Sequence, residues 1–113
     1  GVARGRKLGF PTLNVHIPEG KLRLPNGVYA VNAVIDGQVF ASVTNIGVRP
    51  TFEPENRNVV AEAFLLNADG NFYGKTARLE FVRMLRKEIR FSSGDALREQ
   101  ITRDISSARE ILL

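Results

Sequence analysis

Cysteine is absent from the 113 residues. That excludes disulfides, a thiol nucleophile and thiolate metal sites, and it fits a reducing, cytoplasmic setting. Tryptophan is absent as well, and the two tyrosines and seven phenylalanines offer no exposed stacking platform of the kind single-stranded nucleic acid prefers. With His16 as the one histidine, neither a Ser–His–carboxylate set nor a His/Cys zinc cluster can be argued. No G-x-x-x-x-G-K-[ST] phosphate loop occurs, and there is no internal repeat or low-complexity tract. No apolar run approaches the roughly 20 residues that a membrane span needs. The basic first residues lead into no apolar stretch with a small-residue cleavage site, so neither a signal peptide nor a membrane partner is expected. Residues 1–113 read as one domain.

What is present is positive charge. The net charge is +4 and the isoelectric point about 10.0, so the domain attracts anions, whether small phosphate-bearing molecules or nucleic acid. The excess gathers in two places. Arg4, Arg6, Lys7, Lys21 and Arg23 crowd the start with only Glu19 among them, and Arg83, Arg86, Lys87 and Arg90 form a second group diluted by Glu88.

Turn signals divide the middle of the chain. Asp36-Gly37 separates "VYAVNAVI" from "QVFASVTNI", and Asp69-Gly70-Asn71 follows "VVAEAFLLN". Asp-Gly between β-rich runs is a strong hairpin signal because such turns need positive φ. The pattern predicts strands near 28–35, 38–46, 58–67 and 76–85, a short one at 12–16, and a long loop over 48–58. Leu97, Ile101, Ile105, Ala108 and Leu112 then recur at helical spacing, which predicts a helix over 97–112 capped by Ser92, Ser93 or Asp95. The strands near 28–35 and 59–66 are apolar on both faces for most of their length. That fits a small closed antiparallel barrel with the helix packed outside.

Two places hold candidate chemistry. In "RGRKLGFPTLN", Gly5 and Gly9 let backbone approach a ligand, while Arg4, Arg6 and Lys7 draw anions toward it. Pro11 stiffens the chain, and in an extended segment Thr12 and Asn14 point to one face. A hydroxyl and an amide oxygen side by side suit a hard cation such as Mg²⁺. The plainer alternative is a basic loop before a strand whose Thr and Asn satisfy backbone groups. In "VVAEAFLL", Glu62 is the only charge of an apolar strand. It faces a pocket or pairs with a cation, as a general base would, or it points into water from a strand edge. His16 follows Asn14 by two residues and reads as incidental.

These residues resemble a known family. "GRKLGFPTLN" is similar to the "GR-x-LGFPTAN" signature of riboflavin kinases, including the kinase module of bacterial bifunctional riboflavin kinase/FAD synthetases. "NGVYAV", "TNIGVRPTF", "AEAFLLNADGNFYGKTARLEF" and "MLRKEIRFSSGDALREQITRD" continue the resemblance in register along nearly the whole chain. It implies a mainly β, six-stranded antiparallel barrel with a carboxy-terminal helix. The implied reaction transfers the ATP γ-phosphate to the ribityl 5′-hydroxyl of riboflavin, giving FMN and ADP. By the family pattern Glu62 is the catalytic base and Thr12 and Asn14 bind Mg²⁺ and ATP phosphates. Gly5, Arg6, Lys7 and Gly9 cover the nucleotide, Tyr73 lies near it, and Arg86 and Phe91 help close over riboflavin.

The sequence departs from the family pattern at Leu13, where Ala is usual, and at Phe64, where the family carries His two residues after the Glu. Leu13 should face away from Thr12 and Asn14, whereas Phe64 should share the face of Glu62. Family members also have a strand before the loop, so a first strand is expected to be missing here, leaving an open edge. An amino-terminal FMN adenylyltransferase domain is the expected neighbour in a full-length protein, outside these residues. The competing readings are a small basic β-barrel that binds nucleic acid and an inactive flavin-binding fragment of the same fold.

Overall fold

Asp36 and Gly37 both take positive φ, 51° and 77°, the geometry of a two-residue hairpin turn whose twist matches its strands. The turn joins β2 (Gly27–Ile35) to β3 (Gln38–Arg49), paired antiparallel from Ile35↔Gln38 to Gly27↔Ile46. The computed structural model describes residues 9–17, 24–49 and 58–113. Within these, β1 (Thr12–His16), β4 (Asn58–Leu65), β5 (Arg78–Lys87) and one helix, α1 (Gly94–Leu112), complete the architecture. The five strands form one antiparallel sheet in the order β1-β4-β3-β2-β5.

β2 is buried along almost its whole length because each face has its own cover. On one face Leu13, Ala33, Ile35, Phe40, Ala63 and Leu65 form one cluster, and Tyr29, Val31, Ile46 and Ala61 a second. Val15 of β1 and Leu79 of β5 pack against both clusters, so the ends of the sheet curl toward one interior. There the Ser42 and Thr44 hydroxyls, both fully buried, hydrogen-bond each other at 2.7 Å, which satisfies two polar groups that would otherwise be costly. The Tyr29 hydroxyl donates to the Pro25 carbonyl at 2.6 Å, and burial pushes its phenol above the ordinary value.

On the opposite face Val28, Ala30, Ala41 and Val43 meet Ala108, with Ile105 and Leu112 packed alongside. The helical stripe read from the sequence is therefore the stripe that covers the sheet. Ser93 caps α1 in an extended conformation, its hydroxyl accepting from the Ala96 N–H at 3.1 Å, and the helix begins at Gly94, three residues before the expected start.

The mainly β antiparallel fold with a carboxy-terminal helix holds, and five strands lie among the described residues. β1 has the expected bounds, 12–16, and β3 runs three residues past its expected end, to Arg49. β5 is displaced to 78–87 because a turn, with the Lys75 N–H bonded to the Phe72 carbonyl at 3.1 Å, occupies the preceding residues. Residues 50–57 of the expected loop lie outside the described residues. β2 also approaches β5 closely, since a Cβ at Gly27 would stand 2.7 Å from the Arg86 carbonyl oxygen. Pairing between these strands shifts register at Val28/Tyr29 and Ala30/Val31.

Ile46 is fully buried at the centre of the interior face. Ile46→Ala should lower stability by about 2–5 kcal/mol, the usual range for emptying such a site, as read by urea denaturation. A loss below about 1 kcal/mol would mean that the interior is not packed as described.

Candidate active site

Pairing register sets the site. Asn14 of β1 stands opposite Glu62 of β4, Glu62 opposite Asn45 of β3, Asn45 opposite Val28 of β2, and Val28 opposite Arg86 of β5. Directly opposed residues share a face, so one row of side chains crosses the whole sheet on its helix-covered face. Four of its five members are polar or charged. Glu62 is 6% exposed and sits between two carboxamides. Two residues along, Thr12 stands opposite Phe64 and Phe64 opposite Val43. Thr12 and Asn14 thus share the face of Glu62, as alternation predicts. Leu13 points the other way into the core, at 4% exposure, so the larger residue is accommodated there. Phe64 shares the face of Glu62, as expected from its place in the strand.

Two cavities flank this row. One, of about 390 Å³, is lined by Gly9 to Thr12 and by Asp69 to Phe72. Gly9 takes φ +81° with open space around it, so a glycine is favoured there by backbone conformation and not by crowding. The other, of about 350 Å³, is bounded by Asn45, Phe64, Arg86, Ile89, Phe91 and Asp104 among others. Thr12 lines the first cavity and its cross-strand partner Phe64 the second. The next same-face pair in this ladder is Asn14–Glu62.

The predicted residues divide accordingly. Gly9 and Thr12 line the first cavity and Arg86 and Phe91 the second, while Asn14 and Glu62 line neither and form the same-face pair next to Thr12–Phe64. Gly5, Arg6 and Lys7 lie outside the described residues. Tyr73 is 93% exposed, just beyond the segment 69–72, and its N–H donates to the Asn71 side-chain oxygen at 2.8 Å. His16, exposed, ends β1 on the Asn14 face opposite Val60.

Thr12 and Asn14 bring a hydroxyl and an amide oxygen to one face, donors that fit a hard cation sharing its shell with phosphate and water. Among the described residues no group of three or more His, Asp or Glu side chains gathers to form an all-protein metal cage.

Sequence reasoning missed Asn45 and Asp104. Asn45 had no distinguishing spacing; only the β3–β4 register brings it beside Glu62. Asp104 had a signal, since it interrupts the apolar stripe between Ile101 and Ile105. Its carboxylate receives the Arg86 guanidinium in a bidentate pair, Nε to Oδ1 and Oδ2 at 3.1 and 3.0 Å and Nη2 to Oδ2 at 2.9 Å. The Gln100 amide donates to Oδ1 at 3.0 Å. The guanidinium carbon lies 5.6 Å from the centre of the Phe91 ring.

The Arg86 and Asp104 side chains are 14% and 5% exposed, so removing one partner strands a desolvated charge. Arg86→Met should lower stability by about 3–5 kcal/mol, measured by chemical denaturation. An unchanged midpoint and slope would show that Asp104 is solvated in solution.

Comparison with known proteins gives a consistent result. The family described as Flavokinase: Riboflavin kinase matches residues 1–112. A bifunctional riboflavin kinase/FMN adenylyltransferase of Bacillus subtilis (strain 168) is 38% identical over 111 residues, covering 96% of this chain and 34% of that protein. The protein of the same description from Pseudomonas fluorescens is 39% identical, covering 98% of this chain and 35% of its own length. The RNA-binding riboflavin kinase RibR of Bacillus subtilis (strain 168) is 42% identical over 106 residues, 94% of this chain and 45% of that protein. The chain therefore spans about a third of the length of the first two relatives. A solved structure described as a macrolide-efflux protein from Streptococcus pneumoniae superposes with a TM-score of 0.81 at 28% identity, covering 96% of this chain and 35% of that one. Among the described residues no helix is long and apolar enough to cross a membrane.

Proposed function

We propose that this chain, which belongs to the riboflavin kinase family, transfers the γ-phosphate of ATP to the ribityl 5′-hydroxyl of riboflavin. The observation that carries the reading is the buried Glu62 carboxylate, whose cross-strand partner Asn45 and same-face neighbour Phe64 both line the second cavity. Family membership also favours a kinase over the nucleic-acid-binding barrel that charge alone allowed.

The ATP phosphates occupy the cavity at Gly9–Thr12. Thr12 and Asn14 would hold Mg²⁺ through their side-chain oxygens. An ion held there would supply charge neutralisation to the phosphate groups. The flavin ring fills the second cavity against Phe91 and Phe64, a volume in the range of small-molecule sites, with its ribityl chain directed toward Glu62. Glu62 takes the proton of the 5′-hydroxyl as that oxygen attacks the γ-phosphorus. The bond from the γ-phosphorus to the β–γ bridging oxygen breaks, ADP leaves and FMN remains. Asn14 and Asn45 stand opposite Glu62 on the two neighbouring strands. Positioning and charge stabilisation supply most of the catalysis in phosphoryl transfer, so this set of residues suffices. Gly5, Arg6, Lys7 and Tyr73 complete the proposed set of nucleotide-binding residues. The descriptions of the bifunctional relatives support a longer protein in which an FMN adenylyltransferase acts on the FMN; we place that domain at the amino terminus and the protein in the cytoplasm.

Glu62→Gln preserves size and removes the proton acceptor. FMN formation, followed by chromatography, should fall by about 10²–10⁴-fold with little change in the affinity for either substrate. A folded variant turning over at the wild-type rate would remove Glu62 from the mechanism.

Asn14→Ala should weaken Mg·ATP binding far more than riboflavin binding by calorimetry, since it deletes one oxygen of the metal pair. Equal losses for both ligands would contradict the metal assignment.

A further inference from the structure

Asp104 is out of place for a helix carboxylate. It lies on the buried face of α1 with Ile101 and Ala108, 4% exposed. Such a group is costly to desolvate, and a buried ion pair is commonly no better for stability than an apolar pair of the same size. The helix does not depend on the pair for its docking, because Ile105, Ala108, Ile111 and Leu112 already pack against the sheet. Geometry suggests another use. A bidentate Arg–carboxylate pair fixes the plane and direction of the guanidinium, which a point contact does not. Gln100, one turn before Asp104, donates to Oδ1 and fixes the carboxylate in turn. The guanidinium so held faces Phe91, and Arg86, Asp104 and Phe91 all line the 350 Å³ cavity.

We propose that Asp104 and Gln100 are positioning residues that act through Arg86, locking its guanidinium against Phe91 so that the riboflavin cavity is formed before the substrate arrives. The proposal rests on the assignment of that cavity to riboflavin. A prepared wall lowers the ordering cost of binding, so its loss falls on riboflavin affinity and leaves the Gly9–Thr12 cavity, which shares none of its lining residues, intact.

The test compares wild type, Asp104→Asn and Asp104→Glu. Riboflavin affinity is read by quenching of flavin fluorescence, nucleotide affinity by calorimetry with Mg·ADP, and the fold by thermal melting. Asp104→Asn should weaken riboflavin binding roughly 10- to 100-fold, the scale seen when a partner that orients a binding group is removed, with Mg·ADP affinity unchanged. Asp104→Glu keeps the charge and the fold but displaces the guanidinium, so it should lose riboflavin affinity in the same selective way. It carries the decision if the Asn variant does not fold. A folded variant that binds riboflavin as wild type does would overturn the proposal. So would parallel losses of riboflavin and Mg·ADP that track the melting temperature, the pattern of a plain strut. Wild-type protein that binds Mg·ADP but no riboflavin would overturn the cavity assignment, and this proposal with it.

Discussion

The pairing register of β4 with its two neighbours is the constraint on which the site depends. Side chains alternate along a strand, so a slip of one residue would turn Glu62 into the interior and bring Ala61 or Ala63 to the ligand face. The alanines at 61 and 63 and Leu65, all fully buried, hold the register from behind, because each fits an interior that a carboxylate would not. The core thus specifies the opposite face: packing on the interior side fixes which side chains of β4 stand on the helix-covered side.

The same division of faces explains the role of α1. An antiparallel sheet buried on one side can leave its other side to solvent, but here α1 covers only part of it. Over Val28, Ala30 and Val43 the helix and sheet make an ordinary apolar contact. The 350 Å³ cavity lies against the same helix, lined by Ile101 and Asp104 together with Val28, Asn45, Phe64 and Arg86 of the sheet. The Arg86–Asp104 pair joins the helix to β5 and lines the 350 Å³ cavity. Its low exposure and fixed geometry distinguish it from solvated ion pairs such as Lys75–Asp36 and Arg98–Asp95, which contribute little.

Much of this was legible in the sequence for identifiable reasons. Asp36-Gly37 announced its hairpin because few residue pairs accept positive φ twice, and the two-sided apolar character of residues 28–35 announced a sheet covered on both faces. The shared face of Thr12 and Asn14 followed from alternation alone. Strand lengths were less legible: β3 continues to Arg49 because pairing with β4 extends it to Asn58, a partner that local pattern does not reveal. Asn45 escaped notice for the same reason, since its meaning lies in what stands opposite. Asp104 could have been found as a carboxylate inside an apolar helical stripe, but its partner, eighteen residues earlier on β5, is a tertiary fact.

In the proposed reaction Glu62 lies where the two substrates meet. The most direct test is a crystal structure of the protein with riboflavin, Mg²⁺ and a non-hydrolysable ATP analogue. The 5′-hydroxyl oxygen is predicted to lie within hydrogen-bond reach of the Glu62 carboxylate, about 2.6–3.2 Å, with the γ-phosphate on its other side. A ternary complex in which the flavin lies away from the Arg86–Phe91 cavity, or its hydroxyl points away from Glu62, would contradict it.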